Sequence, residues 1–289
     1  MGSVLAGLPA LTGPWHLAAA ALGLYAAFVT VVGPALLARG TWWSRHPSLA
    51  LGVWFGAAAS GAVAVSGALV LSCVSLLDCR HASTPYALVV ATEVAVWLVV
   101  AVTVALLARC LSRLDRVVFA NRDLRDHMDE VAALLGSRTS RRGDVDVVVL
   151  RTDRVVACAV PGRRGRVYVS EGVVDALGAT ELDAVLAHEV GHLRGRHAWL
   201  TGAAHALAVA VPVRASRRLR SYVELLVELA ADDRACRSAG HGATCSAMRR
   251  LADLQADRGE AGSFALRASR LASFEAAGNP VPAPAVVAA

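Results

Sequence analysis

The stretch AVLAHEVGHLRGRHAWL, residues 184–200, decides which fold to expect. It contains His188, Glu189 and His192 in the order HExxH. On a helix, histidines separated by four positions leave the same face, so both imidazoles can bind one metal ion. A glutamate next to them can reach a metal-bound water and act as its general base. The motif is short, so its meaning depends on the elements predicted around it.

The residues before the motif predict a small β-sheet. Three short runs rich in β-branched residues are typical of strands: VDVVVL (145–150), RVVACAV (154–160) and RVYVS (166–170). PGRRG, residues 161–165, has the composition of a turn, and residues 136–144 form a polar break. A helix is predicted over residues 181–197, where Thr180 and Asp183 resemble a capping box. The HExxH motif is therefore predicted to lie on a helix that follows a β-hairpin.

Three apolar runs precede this unit. The chain of 289 residues is 56% hydrophobic and only 18% charged, an apolar share above that of typical soluble domains. A run of ~20 apolar residues is long enough to cross a bilayer as a helix. The runs that qualify are residues 17–37, 49–77 and 86–108. They predict three transmembrane helices within residues 1–108.

The arginines predict how these helices are oriented. All 29 basic residues are arginine: none precedes the first apolar run, two follow it, and five lie within residues 109–125 after the third. The positive-inside rule places the N-terminus outside and everything after the third run in the cytoplasm, in a multi-pass inner or plasma membrane protein. This distribution explains the net charge of +6 better than nucleic-acid binding does. The predicted partners include the lipid bilayer and exclude nucleic acid.

A catalytic zinc site takes three protein ligands and keeps one position open, so HExxH needs a further ligand. One candidate follows the metzincin pattern HExxHxxGxxH. Gly195 fits the glycine of that pattern, but Ala198 stands where the last histidine belongs and His197 comes one position early. If the helix continues, this slip rotates the histidine side chain by about 100°.

The second candidate lies in VELAADDRA, on a helix predicted over residues 216–238. Glu228 and Asp232 are four positions apart and share one face. Glu228 can complete a His/His/Glu site, and Asp232 can accept a hydrogen bond from a ligand histidine. The alternative interpretation is a solvated acidic stripe. The apolar residues 198–213 are short for a span, and they predict a core or re-entrant helix, since one crossing would separate Glu228 from the histidines.

A resemblance to the membrane-bound gluzincin zinc metallopeptidases rests on two segments, RVVACAVPGRRGRVYVSEGVVDALGATELDAVLAHEVGHLRGRH and VELAADDRA. The similar families are the β-lactam-sensor or antirepressor peptidases and the related heat-shock and CAAX prenyl proteases. The resemblance implies one Zn²⁺ per chain on His188, His192 and Glu228, with Glu189 as the base and Asp232 in support. It further implies a zinc metalloendopeptidase that hydrolyses peptide bonds of a membrane-proximal or regulatory protein.

The expected fold is a mainly α membrane protein with three N-terminal transmembrane helices and an α+β zincin-like metallopeptidase domain. The helices occupy residues 1–108, the cytoplasmic zinc domain residues 109–275, and a disordered Pro/Ala-rich tail residues 276–289. The alternative is a non-catalytic membrane receptor or scaffold with a structural zinc site. Structural sites close all four positions, commonly with cysteine. None of the six cysteines has ligand spacing to the histidines, and Glu189 would then have no purpose.

The predicted strand before Pro161 is a candidate substrate-binding element. In zinc peptidases a strand edge beside the metal helix can pair with an extended peptide. The alternation of side chains puts Val156, Cys158 and Val160 on one face and leaves small Ala157 and Ala159 on the other. Substrate contacts are therefore expected at residues 157–159. The alternative is an ordinary buried core strand.

Overall fold

The computed structural model of the protein describes residues 14–79, 86–210, 214–254, 267 and 269–272. The chain divides into two compact units, which are treated separately. The first comprises Met1–Gly40, Gly52–Ser112 and Leu207–Leu219, and the second comprises Thr41–Leu51, Arg113–Ala206 and Arg220–Ala289. The predicted tail over residues 276–289 lies outside the described residues.

The N-terminal part of the chain is helical. It contains α1 (Pro14–Val31), α2 (Gly33–Leu37), α3 (Trp42–Arg45), α4 (Pro47–Cys79) and α5 (Tyr86–Leu135). Within the described part of the chain, three segments are long and apolar enough to span a membrane: Pro14–Val31, Pro47–Val74 and Glu93–Leu135. The prediction of three such helices is confirmed.

Two helix boundaries differ from the predicted spans. The run over residues 17–37 is divided at Val32, because Pro34 at the start of α2 lacks an N–H and its ring crowds the preceding turn. The third predicted span, over residues 86–108, continues past its expected end as one helix, α5, of 50 residues. No glycine or proline occurs between Tyr86 and Leu135 to interrupt it.

A mixed four-stranded sheet lies in the second unit. Its strands are β1 (Ser137–Arg142), β2 (Val145–Leu150), β3 (Ala157–Val160) and β4 (Arg166–Ser170), in the spatial order β1-β2-β4-β3. The β1–β2 and β3–β4 pairs are antiparallel, and β2 runs parallel to β4. The order leaves β3 at one edge of the sheet.

Strand β1 corrects the prediction of a polar break over residues 136–144. All six of its residues are exposed, so it has no alternation of apolar and polar side chains. It pairs with β2 through a tight turn at Gly143, whose φ of 63° suits glycine. An edge strand with two polar faces lacks the pattern by which strands are recognised in a sequence.

Both faces of the sheet are covered by helices, which explains the four consecutive apolar residues over 147–150 in β2. On one face Val147, Val167 and Val169 pack against residues of α6 (Glu171–Ala176), α7 (Ala179–Arg194) and α10 (His241–Leu254). On the other face Val148 and Tyr168 pack against the last turns of α5. The sheet thereby fixes α7, the helix that carries HExxH.

Helix α7 is shorter than the predicted helix over residues 181–197. Its start is capped by Glu181, which accepts a hydrogen bond of 2.8 Å from the backbone N–H of Gly178; the predicted Thr180 and Asp183 capping box does not form. The helix ends at Arg194, and Arg196 has a φ of 51° before the next helix begins. The remaining helices are α8 (His197–Ala210) and α9 (Arg214–Ala239).

Candidate metal centre

Three side chains converge between α7 and α9. His188 Nε2 lies 3.0 Å from His192 Nε2, and each of these nitrogens lies 3.5 Å from a carboxylate oxygen of Glu228. The ligand atoms of all three residues lie within 4.8 Å of one another. A tetrahedral zinc ion with bonds of about 2.0–2.1 Å separates its ligand atoms by about 3.3 Å. The nitrogen and oxygen donors therefore fit a zinc ion in both type and spacing.

Small residues allow the two helices to approach this closely. A Cβ added to Gly191 of α7 would lie 3.1 Å from the Cα of Ala231 on α9. Ala231 and Ala235 are completely buried. A larger side chain at any of the three positions would separate Glu228 from the two histidines.

Asp232 contacts the side of His188 that faces away from Glu228. Its Oδ1 lies 2.9 Å from His188 Nδ1, and its side chain has no exposed surface. Burial alone would raise the pKa of Asp232, but hydrogen bonds and positive charge from Arg267 and His188 lower it to about 2. An ionised carboxylate that accepts the hydrogen bond of Nδ1–H fixes the imidazole tautomer and leaves the lone pair of Nε2 free to bind a metal ion.

Glu189 lies beside the three donors. It is buried, and its carboxylate lies near the backbone N–H of Ala159 on β3, which favours the ionised form. Burial, followed by the charge of Glu228, raises the pKa of Glu189 above its ordinary value. A buried carboxyl group with a raised pKa can both accept and return a proton near neutral pH.

The comparison with protein families gives one match. The model of peptidase family M48 matches residues 119–272, which is more than half of the 289 residues. The chain belongs to peptidase family M48. The metallopeptidase family expected from the sequence is therefore confirmed. No curated protein and no solved structure matches the chain.

This M48 peptidase has a buried arginine that sequence reasoning did not identify. The guanidinium of Arg267 donates from Nε to Asp232 Oδ2 at 2.8 Å, and its Nη1 lies 3.1 Å from Glu228 Oε2. Arg267 thus neutralises and positions Glu228 and Asp232. It follows Asp232 by 35 residues and belongs to no motif of fixed spacing, so only the folded structure reveals the contact.

His197 does not join the three converging donors of the M48 site. Because α7 ends at Arg194, the argument from helical rotation does not apply to it. Its Nδ1 lies 3.0 Å from His192 Nδ1, the nitrogen opposite the one that faces His188. A Cβ on Gly195 would meet the ring of His197 at 2.1 Å, so glycine is required there. His197 is placed to orient His192.

The candidate substrate residues 157–159 line the same cleft as the M48 site, a cavity of about 1570 Å³. Val156 accepts a hydrogen bond of 2.9 Å from the N–H of Ser170. Since backbone direction alternates along an antiparallel strand, Ala157 and Ala159 direct their N–H and C=O groups away from β4. Both therefore face the open edge of the sheet.

The face of β3 that carries Ala157 is less open than the sequence predicts. Ala157 packs against the hydrophobic cluster shared with α7, so that face is not open along its whole length. The strand edge is the part of β3 that remains open to the cleft. Cys158 packs on the opposite face, and burial, followed by the charge of Glu189, raises its pKa to about 11. A thiol with this pKa is not a nucleophile at neutral pH.

Proposed function

We propose that this M48 metallopeptidase is a membrane-bound zinc endopeptidase that hydrolyses peptide bonds of a membrane-proximal or regulatory protein. The observation that carries the proposal is the convergence of His188, His192 and Glu228 beside buried Glu189. One zinc ion per chain is expected on the three donors. The test measures zinc content and peptide cleavage on the same purified full chain.

Each residue of the site has a distinct task in this proposal. His188, His192 and Glu228 would hold the zinc ion, which would supply a Lewis acid that lowers the pKa of a water molecule. Glu189 takes the proton of the attacking water and returns it to the leaving amine. Asp232 accepts a hydrogen bond from Nδ1 of His188 and so orients its imidazole.

The alternative function is a non-catalytic receptor or scaffold with a structural zinc site. In that case the purified chain would contain stoichiometric zinc but cleave no unfolded protein. The buried carboxyl group of Glu189 favours the peptidase, because a structural site has no use for an uncoordinated acid next to its ligands. Cleavage that is lost on chelation and restored by Zn²⁺ would support the proposal.

We expect the chain to lie in the inner or plasma membrane with its N-terminus outside and its metallopeptidase part in the cytoplasm. The three apolar helices and the arginines after the third of them support this. An impermeant maleimide should label Arg80→Cys in intact cells, in a chain whose native cysteines are replaced by alanine. Ser140→Cys, at an exposed position of β1, should be labelled only after the cells are permeabilised. Labelling of Ser140→Cys in intact cells would reverse the assigned sidedness.

We further expect the substrate to bind as an added strand along β3, held by the outward backbone groups of Ala157 and Ala159. Proline at 157 removes one outward N–H and leaves the Ala159 contact with Glu189 intact. Ala157→Pro should keep zinc and lower kcat/KM several-fold, in line with one hydrogen bond worth about 0.5–1.5 kcal/mol. Ala157→Ser, which retains the N–H, is the matched control. A folded, zinc-loaded Ala157→Pro chain that cleaves like the control would show that β3 does not hold the substrate.

A further inference from the structure

A group of arginines borders the cleft where α7 ends. They come from the end of β1, the turn between β3 and β4, and the residues around Gly195. Those that line the cavity are Arg141, Arg163, Arg164, Arg194 and Arg196. All five are exposed, so their guanidinium groups are accessible to a bound molecule.

The three segments are fixed to one another. A Cβ on Gly165 would lie 2.7 Å from Leu193 Cδ1, which shows how closely the β3–β4 turn packs on α7. The N–H of Asp146 donates to Gly165 O at 3.2 Å and ties the same turn to β2. Arg194 forms an ion pair of 2.9 Å with Asp144 in the β1–β2 turn. The arginines therefore stand on a fixed rim of the cleft.

Most of this positive charge is not neutralised. Asp144 pairs with Arg194, but no carboxylate pairs with Arg163, Arg164 or Arg196 among the residues that the structure describes. The other acids of the cleft, Glu189 and Glu228, lie at the metal centre. A concave site lined by charge of one sign attracts ligands of the opposite sign.

We propose that the cleft selects peptide segments with acidic side chains beside the cleaved bond, and that Arg163 and Arg164 are the main contacts. This rests on the proposed function, since it assigns the substrate class of the same site. The arginines line the same concave cavity as Ala157, Ala159 and Glu189. This favours a peptide as the ligand, because a flat anionic membrane surface cannot enter the cavity.

The test uses an unstructured peptide that the full wild-type chain cleaves, made in two versions with two Asp or two Asn residues flanking the cleaved bond. The Asp version should have a kcat/KM about tenfold higher at low salt. The preference should shrink toward unity near 1 M salt, where the Debye length falls to about 3 Å. The double variant R163Q/R164Q should lose most of the preference, through a lower kcat/KM for the Asp version.

The matched control is R154Q/R249Q, which removes two exposed arginines that do not line the cleft. It should keep the preference. Equal cleavage of both peptides by the wild type would overturn the proposal and leave the peptidase function standing, whereas no cleavage of either would count against the function itself. If R163Q/R164Q instead keeps the preference but loses binding to phosphatidylserine vesicles, the arginines serve a lipid surface and the proposal is wrong.

Discussion

Glu189→Gln should lower kcat for peptide cleavage roughly 10²–10⁴-fold, the usual contribution of a general base, while the chain retains one zinc ion. Glutamine has nearly the same shape and fits the same buried position beside the three donors. It cannot take a proton from water. Binding and metal content should therefore stay close to wild type, and the loss should lie in the chemical step.

The matched control for this variant is Glu224→Gln. Glu224 is also a glutamate, but it is half-exposed on α9 and pairs with Arg220 at 2.7 Å. The control should retain full activity. Stoichiometric zinc together with undiminished cleavage in Glu189→Gln would remove Glu189 from the mechanism.

The second large effect is expected in metal affinity. Glu228→Ala removes one of three converging donors, so zinc should dissociate far more readily than from any variant that leaves the donors intact. Asp232→Asn keeps the donors but weakens the contact with His188, and should cost roughly 10–100-fold in affinity. His197→Ala should have an effect of similar or smaller size, because His197 contacts only Nδ1 of His192. Competition against a chromophoric chelator measures all three.

The order of these effects separates the two candidate third ligands. If Glu228 is a ligand, its alanine variant is the weakest binder of the series. A His197→Ala chain that loses its metal while Glu228→Ala keeps it would instead support the metzincin-like arrangement. Asp233→Asn provides a further control on α9, since its carboxylate pairs with Arg270 at 2.8 Å and does not face the donors.

The features that could be predicted from the sequence have a fixed spacing or a strong period. The HExxH and ExxxD pairs place their side chains on one helix face, and the structure brings the two faces together. Long apolar runs identify helices by composition alone. The buried strands β2 and β4 also have distinctive β-branched sequences.

The features that were missed depend on contacts between distant residues or on single backbone angles. Strand β1 has no apolar face and forms because β2 offers it hydrogen bonds. The end of α7 depends on the left-handed backbone of Arg196, which no periodicity indicates. Arg267 reaches Asp232 from a remote helical segment. Such contacts arise from tertiary packing, and a pattern within a short stretch of sequence does not reveal them.

The free edge of β3 also bears on how the protein behaves when it is concentrated. Unpaired backbone groups at a sheet edge can template the addition of a strand from another copy, which begins aggregation. Here the edge is only four residues long, Ala157–Val160, and Arg163 and Arg164 lie in the turn that follows it. Two copies approaching edge to edge would bring like charges together. Repulsion between these arginines therefore opposes the pairing of two copies at this edge, whereas an acidic chain is not repelled.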